Sequence, residues 1–224
     1  MVDSSAKRLN RYHSKVLYWL RRGVQAVLLR PFLRRNFTVT VKGVSHLKQF
    51  SDPVIMMSNH QSHLDALLII GSLPYQIAAR TAVGAATDNF FRNWLQSKPT
   101  RILLNTYPID RDKSGRHQGV SRRLIDEKIS ILVFPEGTRT RSGNLGKFHT
   151  GLARIALDTN VKILPIAISG AFQAWPYSSK RWHKGKPPVE VNFLPMIKPK
   201  DNETPQELTE RVKNIISEST HNIL

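Results

Sequence analysis

The sequence predicts an α/β fold: one domain with a mostly parallel or mixed central sheet flanked by helices, plus an N-terminal basic amphipathic helix. Three observations carry this expectation. From Phe37 onward, short apolar runs alternate with longer stretches of helical periodicity. The 224 residues, 40% hydrophobic and 22% charged, have the length and composition to bury one substantial core. No internal repeat or low-complexity tract divides them. Residues 1–35 therefore read as a distinct N-terminal segment and 36–224 as the domain.

Nine cations fall in the N-terminal segment (Lys7, Arg8, Arg11, Lys15, Arg21, Arg22, Arg30, Arg34 and Arg35) against the single acid Asp3. Val16, Leu17, Leu20, Val24, Val27 and Leu28 recur at helical spacing, with Arg21 and Arg22 off that stripe. Pro31 is expected to end or kink this helix. Such a helix can lie in a membrane interface, or dock on its own domain with a solvated basic face. The sequence leaves both open. Arg21, Arg22 and Arg30 make a bilayer span too costly, and they interrupt any signal-peptide apolar core.

Strands are expected at Phe37–Val41, Val54–Met57, Gln76–Ala79, Arg101–Leu104, Ile131–Phe134, Lys162–Ile168 and Val189–Leu194. Helices are expected at Ser62–Ile70, Asp88–Gln96, Gln118–Lys128, Gly151–Asp158 and Pro205–Glu218. The last starts with Thr204 as N-cap, Pro205 at the first helical position and Glu207 placed for a capping box.

Charge and cysteine usage narrow the function classes. Lys and Arg number 34 and Asp and Glu 16, a formal net charge of +18 that attracts nucleic acid, anionic membranes or phosphorylated partners. The absence of cysteine excludes disulfides, thiolate catalysis and Cys-based metal sites, and suits a reducing compartment.

Two motifs carry chemistry. In Asn59-His60-Gln61-Ser62-His63-Leu64-Asp65, a titratable base is followed five residues later by a carboxylate. Within one helix that spacing turns about 500°, so the side chains meet only if the helix starts between them and His60 sits on the preceding loop. Ser62 offers such a start. A neutral imidazole can remove a hydroxyl proton during attack on an ester or thioester, while a carboxylate behind it fixes its tautomer. Equally, Ser62 to Asp65 matches a capping box, which would make Asp65 structural. In the second motif, Ile131–Phe134 breaks into Pro135-Glu136-Gly137-Thr138-Arg139. Gly137 permits a positive-φ turn, and the Arg139 fork suits phosphate oxygens. Arg111 follows another apolar run, Tyr107-Pro108-Ile109-Asp110. These arginines read equally as surface charges with Glu136 as their ion-pair partner.

The ordered set resembles the glycerophospholipid acyltransferase family, whose best-known members acylate lysophosphatidic acid. His60 and Asp65 match its His-x4-Asp block, Tyr107–Arg111 its second block, Phe134–Arg139 its Phe-Pro-Glu-Gly-Thr-Arg block, and Ile163–Ile168 its proline-containing apolar strand. The matches span Asn59 to Gly170, about half the chain. The resemblance implies His60 as general base with Asp65 as its partner, and Arg111 and Arg139 as the acceptor-phosphate site. Glu136, Gly137 and Thr138 then shape the adjoining pocket. It implies an O-acyltransferase moving a fatty acyl group from acyl-CoA or acyl carrier protein to a lysophospholipid hydroxyl. The acceptor implied is 1-acyl-glycerol-3-phosphate and the product phosphatidic acid, with no metal and no cofactor beyond the co-substrate. The expected location is the cytoplasmic face of a membrane, peripheral or monotopic, on an anionic surface. Two departures stand out: His149 follows Phe148 where members often carry lysine, and Arg80 takes the place of a lysine between the first two blocks.

Trp175 to Lys186 interleaves Trp, Tyr and cations, a mixture suited to a membrane interface or to stacking on nucleobases. A basic nucleic-acid- or membrane-binding protein without transfer activity is the alternative reading. None of the signatures of common nucleic-acid modules occurs, so no specific nucleic acid is expected. A hydrolase built on Ser62, His60 or His63, and Asp65 lacks a Gly-x-Ser-x-Gly elbow.

Overall fold

The computed structural model describes residues 10–51, 53–86, 100–109, 118–176, 178–179 and 181–221. Seven strands form one sheet: β1 (Thr38–Lys42), β2 (Ile55–Ser58), β3 (Ala82–Ala86), β4 (Tyr107–Ile109), β5 (Ile131–Val133), β6 (Ile163–Ser169) and β7 (Pro188–Phe193), in the order β1-β7-β6-β2-β5-β3-β4. Every pairing is parallel except β6 with β7, so the sheet is mixed and the expected class holds.

Period-two alternation divides the core into two layers. Val54, Met56, Leu132, Leu164, Ile166 and Ile168 face one layer, while Ile55, Met57, Ile131, Val133, Ile163 and Ala167 face the other. The helices α3 (Asp65–Ser72) and α4 (Tyr75–Arg80) cover the first face with the N-terminal helices. The second face is covered by α5 (Gln118–Asp126), α6 (Gly151–Thr159) and α8 (Pro205–His221), whose Leu208, Val212 and Ile216 are fully buried. A short α7 (Ala171–Ala174) follows β6. In α8 the capping box is formed: Thr204 N–H donates to Glu207 Oε2 at 2.7 Å, and Glu207 N–H to Thr204 Oγ1 at 3.2 Å.

Four sequence expectations need correction. Gln76–Ala79 is helical rather than extended, because Pro74 starts a turn in which Ile77 and Ala78 N–H groups both return to its carbonyl. Residues 101–104 are helical as well, and β3 and β4 follow these two turns instead. The helix expected from Ser62 starts at Asp65. Pro31 does not end its helix. A π-turn at Gln25–Leu29 precedes it, so Pro31 falls in the first turn of a new segment, α2 (Arg30–Asn36), where a missing N–H is tolerated. The expected helix Asp88–Gln96 lies outside the described residues.

The N-terminal helix α1 (Lys15–Val24) docks with its polar side inward. Arg21, Gln25, Leu29 and Leu33, four residues apart, are buried; Leu29 and Leu33 belong to the core. Arg21 is 3% exposed and donates to Ile102 O at 3.2 Å, to Asn105 Oδ1 at 2.9 Å and to Ala79 O. Burial, reinforced by the neighbouring Arg11, pulls its guanidinium down to about 10. Gln25 Nε2 donates to Leu103 O at 2.9 Å. The outward face carries Val16, Trp19, Leu20, Val27 and Leu28, with Val27 71% and Trp19 61% exposed. The docked helix therefore shows solvent an apolar face rather than only a basic one. No helix among the described residues is long and apolar enough to cross a membrane.

This inverted arrangement predicts an inverted stability pattern. Arg21→Ala strips a donor from the buried acceptors Ala79 O and Asn105 Oδ1 and the part-buried Ile102 O, and should lower unfolding free energy by about 1–3 kcal/mol in denaturant titrations. Val27→Ser, on the outer face, should stay within about 0.5 kcal/mol of wild type. A larger loss from Val27→Ser than from Arg21→Ala would contradict the inward-facing latch.

Candidate active site

β2 delivers Asn59 and His60 to the carboxyl end of the sheet, beside the loops leaving β5 and β6. Asn59 extends the ladder with its side chain. Its Nδ2 donates to Ile168 O at 2.9 Å, and Ile168 N–H donates to its Oδ1 at 2.8 Å, as a strand peptide would. The chain then leaves the sheet at a fixed point, and His60 begins the loop.

Asp65, fully buried at the start of α3, reaches back over this loop. Its Oδ2 lies 2.7 Å from His60 Nδ1 and accepts the N–H groups of Gln61 at 2.6 Å and Ser62 at 2.8 Å. One oxygen thus holds both the imidazole and the helix entry, while Oδ1 has no hydrogen-bond partner among the described residues. The capping role and the histidine partnership coexist in a single carboxylate. The box is only half formed: Ser62 Oγ accepts from Leu64 N–H at 3.2 Å and donates to Trp175 O at 2.6 Å. Nδ1–H toward the carboxylate leaves Nε2 with its lone pair. The ring lies flat on Phe134, centroids 4.1 Å apart and planes 18° apart, and its side chain keeps 21% exposure. It is held on two sides and open to a reactant.

The loop after β5 is tied to His60 through Glu136. The buried carboxylate accepts His60 N–H at Oε1, 2.7 Å, and Gly146 N–H at Oε2, 2.8 Å. Burial raises its carboxyl above the ordinary range, opposed by those two N–H groups. A Cβ at position 146 would lie 2.7 Å from Oε2, so a side chain there would push the Glu136 carboxylate from its present position. Gly137 turns at φ 68°, with its N–H bonded to Phe134 O at 3.1 Å. Thr140 N–H donates to His60 O at 2.9 Å, closing the loop over the histidine. Arg139 projects onto the ring of His63, Nη1 lying 3.0 Å from Nε2 and close to Nδ1. The His60 imidazole, the Asp65 carboxylate and the Arg139 guanidinium thus share one interlocked pair of loops.

A family model described as Acyltransferase matches residues 38–169, more than half of the chain. The chain belongs to the Acyltransferase family. Among curated proteins it is 30% identical over 186 residues to human 1-acyl-sn-glycerol-3-phosphate acyltransferase alpha, covering 79% of this chain and 61% of that protein. It is 27% identical over 176 residues to the chloroplastic 1-acyl-sn-glycerol-3-phosphate acyltransferase BAT2 of Brassica napus, covering 76% of this chain and 47% of that one. The chain thus spans about half to three-fifths of the length of these relatives. Its fold is that of the 1-acyl-sn-glycerophosphate (LPA) acyltransferase PlsC of Thermotoga maritima, with a TM-score of 0.71 at 22% identity over 100% of this chain and 83% of that chain.

Of the remaining sequence-derived residues, Thr138 and Arg80 lie on different elements. Thr138 is exposed on the turn after Gly137. Arg80, exposed at the end of α4, has its guanidinium 5.4 Å from the ring centre of Tyr18 on α1. Arg111 lies outside the described residues. His149, standing after Phe148, bonds Pro135 O through its N–H at 2.8 Å, and its ring would lie 3.4 Å from a Cβ at Gly137. Sequence reasoning missed Asn59 as a ladder extension, Phe134 as the histidine's platform, Gly146 as a donor and His63 as the neighbour of Arg139. All but Gly146 lie in motifs already singled out, but each role depends on a partner remote in sequence.

Glu136 generates a pH prediction. Its native carboxyl binds a proton more tightly than in the unfolded chain, so stability from this group is complete at low pH and lost as pH rises through the raised native value. The stability margin of wild type over Glu136→Gln should narrow as pH climbs from the ordinary carboxylate range through that value. Denaturant midpoints at several pH values measure it, and a margin that widens with pH would contradict the assignment.

Proposed function

We propose that the chain is an O-acyltransferase that moves a fatty acyl group from an acyl thioester to the free hydroxyl of a lysophospholipid. The acceptor is 1-acyl-glycerol-3-phosphate and the product phosphatidic acid. One observation carries this reading: His60 Nδ1 stands 2.7 Å from the buried Asp65 carboxylate while the loop clamped to His60 presents Arg139. Family membership and the named activities of the relatives agree with it.

In the proposed step, Nε2 of His60 takes the acceptor hydroxyl proton as its oxygen attacks the thioester carbonyl. The C–O bond forms, the C–S bond breaks, and the proton held by His60 passes to the departing thiolate. Asp65 stabilises the imidazolium and needs no proton of its own. Arg139, with Arg111, binds the acceptor phosphate through charge-assisted hydrogen bonds. Acyl-CoA and acyl carrier protein both supply the thioester.

The acceptor is an amphiphile, so the site works at a lipid surface. The outward apolar row on α1 and its π-turn, joined to the basic residues of the segment, suits the cytoplasmic face of an anionic membrane as a peripheral or monotopic anchor. The latch of Arg21 and Gln25 frees that row for lipid.

Three outcomes follow. His60→Ala should cost about 10²–10⁴ in turnover with the fold intact, and pairing it with Asp65→Ala should add little further loss. Near-normal turnover in His60→Ala would sink the mechanism. Arg139→Ala and Arg111→Ala should each remove about 1.5–3 kcal/mol of transition-state binding for a phosphorylated acceptor, seen in kcat/KM. Equal losses on uncharged monoacylglycerol would show that they do not read phosphate. Replacing Val27 and Leu28 together with Ser should weaken binding to anionic vesicles by roughly tenfold or more in co-sedimentation. Unchanged binding would move the membrane contact elsewhere.

A further inference from the structure

In the aromatic-basic loop after β6, Trp175 and Trp182 fold back against the domain instead of extending outward. Trp175 and Trp182 are half-buried, their ring centres 5.3 Å apart, and both pack against the core. Trp182 meets Phe32 of α2 edge-on, at 5.4 Å and 87°. Trp175 is fixed at three points. Its indole N–H donates to Ser179 O at 2.9 Å, its backbone N–H to Ala171 O at 2.9 Å, and its carbonyl accepts Ser62 Oγ at 2.6 Å. The His183 N–H to Ala174 O bond, 2.8 Å, closes the loop on itself. On its other side, Trp175 carries the ring of His63, centres 5.2 Å apart at 40°, and His63 carries Arg139.

We propose that Trp175, braced by Trp182 and Phe32, is a positioning residue for Arg139 that acts through His63. The inference rests on the acceptor-phosphate reading of Arg139. An arginine side chain has much rotamer freedom to lose when it grips a phosphate, and a site that pre-orders it avoids that loss on binding. A neutral histidine nitrogen can accept from the guanidinium and set one end of its fork, but an exposed histidine holds direction only if its own ring is seated. The Trp175 face is that seat. The chain of rings runs from α2 to the phosphate side of the site, so seating of the N-terminal helices and readiness of Arg139 are mechanically continuous.

The test compares Trp175→Ala, Trp175→Phe and Trp182→Ala with wild type and Arg139→Ala, on a short-chain lysophosphatidate and on the matching uncharged monoacylglycerol. Trp175→Ala should raise KM for the phosphorylated acceptor about five- to tenfold, the worth of one aromatic contact. Donor KM and kinetics on the uncharged acceptor should stay within about twofold. Trp175→Phe should restore most of the loss, and Trp182→Ala should show the same selective rise more weakly. An unchanged phosphorylated-acceptor KM in folded Trp175→Ala, or an equal rise on both acceptors, overturns the proposal. If Trp175→Ala does not fold, Trp182→Ala decides, and an absence of selectivity there overturns it. Selective loss in Arg139→Ala without selective loss in the tryptophan variants defeats this inference alone; no selectivity in Arg139→Ala defeats the acceptor reading with it.

Discussion

A single oxygen, Oδ2 of Asp65, holds the candidate site together. It receives His60 Nδ1 and the N–H groups of Gln61 and Ser62, all within 2.8 Å. The carboxylate is wholly buried, and no lysine or arginine hydrogen-bonded to Oδ2 offsets its desolvation in the described geometry; the three donors do that work. Their demands are geometric as well as energetic. To converge on one oxygen, the loop must turn between His60 and Ser62, α3 must begin at Asp65, and the imidazole must point Nδ1 at the carboxylate while stacked on Phe134. The capping of a helix and the orientation of a base are the same set of bonds.

The surroundings repeat this economy by fixing backbone with side chains. Asn59 substitutes for a strand peptide against Ile168, and Glu136 joins the β2 loop to the β5 loop through two backbone N–H groups. Arg21 and Gln25 fix the N-terminal helix on carbonyls of residues 79, 102 and 103. Each polar contact also sets an orientation: Nδ1 of His60 is turned to the Asp65 carboxylate, and the apolar row of α1 is turned away from the domain. Polar-in and apolar-out is costly for a helix that meets only water. It becomes favourable when the outer face has an apolar neighbour.

Much of the fold was legible in the sequence because five strands have a clear apolar pattern and the later helices have caps or full periodicity. Ala82–Ala86 was not expected as a strand because small residues and glycine carry little strand signal, nor was the apolar run Tyr107–Ile109, because it is three residues long with Pro108 at its centre. Gln76–Ala79 was misread because three apolar residues in a run of four have the same pattern in either state. Within the site, spacing allowed His60 to meet Asp65 but left the capping role of Asp65 equally open, and the family resemblance implied the pairing. The stacking of His60 on Phe134 and of His63 on Trp175 was not legible, since loop paths decide which rings meet. The N-terminal stripe was visible, yet periodicity identifies a face without saying whether protein or lipid covers it.

The account turns on His60 being held with its proton on Nδ1 and a bare Nε2. Nitrogen-resolved NMR of the histidine-labelled protein near neutral pH reads this directly, with His60→Gln identifying the signal and Asp65→Asn as the companion sample. Wild type should show the Nδ1–H tautomer, with the preference lost or reversed in Asp65→Asn. A wild-type His60 carrying its proton on Nε2, or a tautomer indifferent to Asp65, would contradict it.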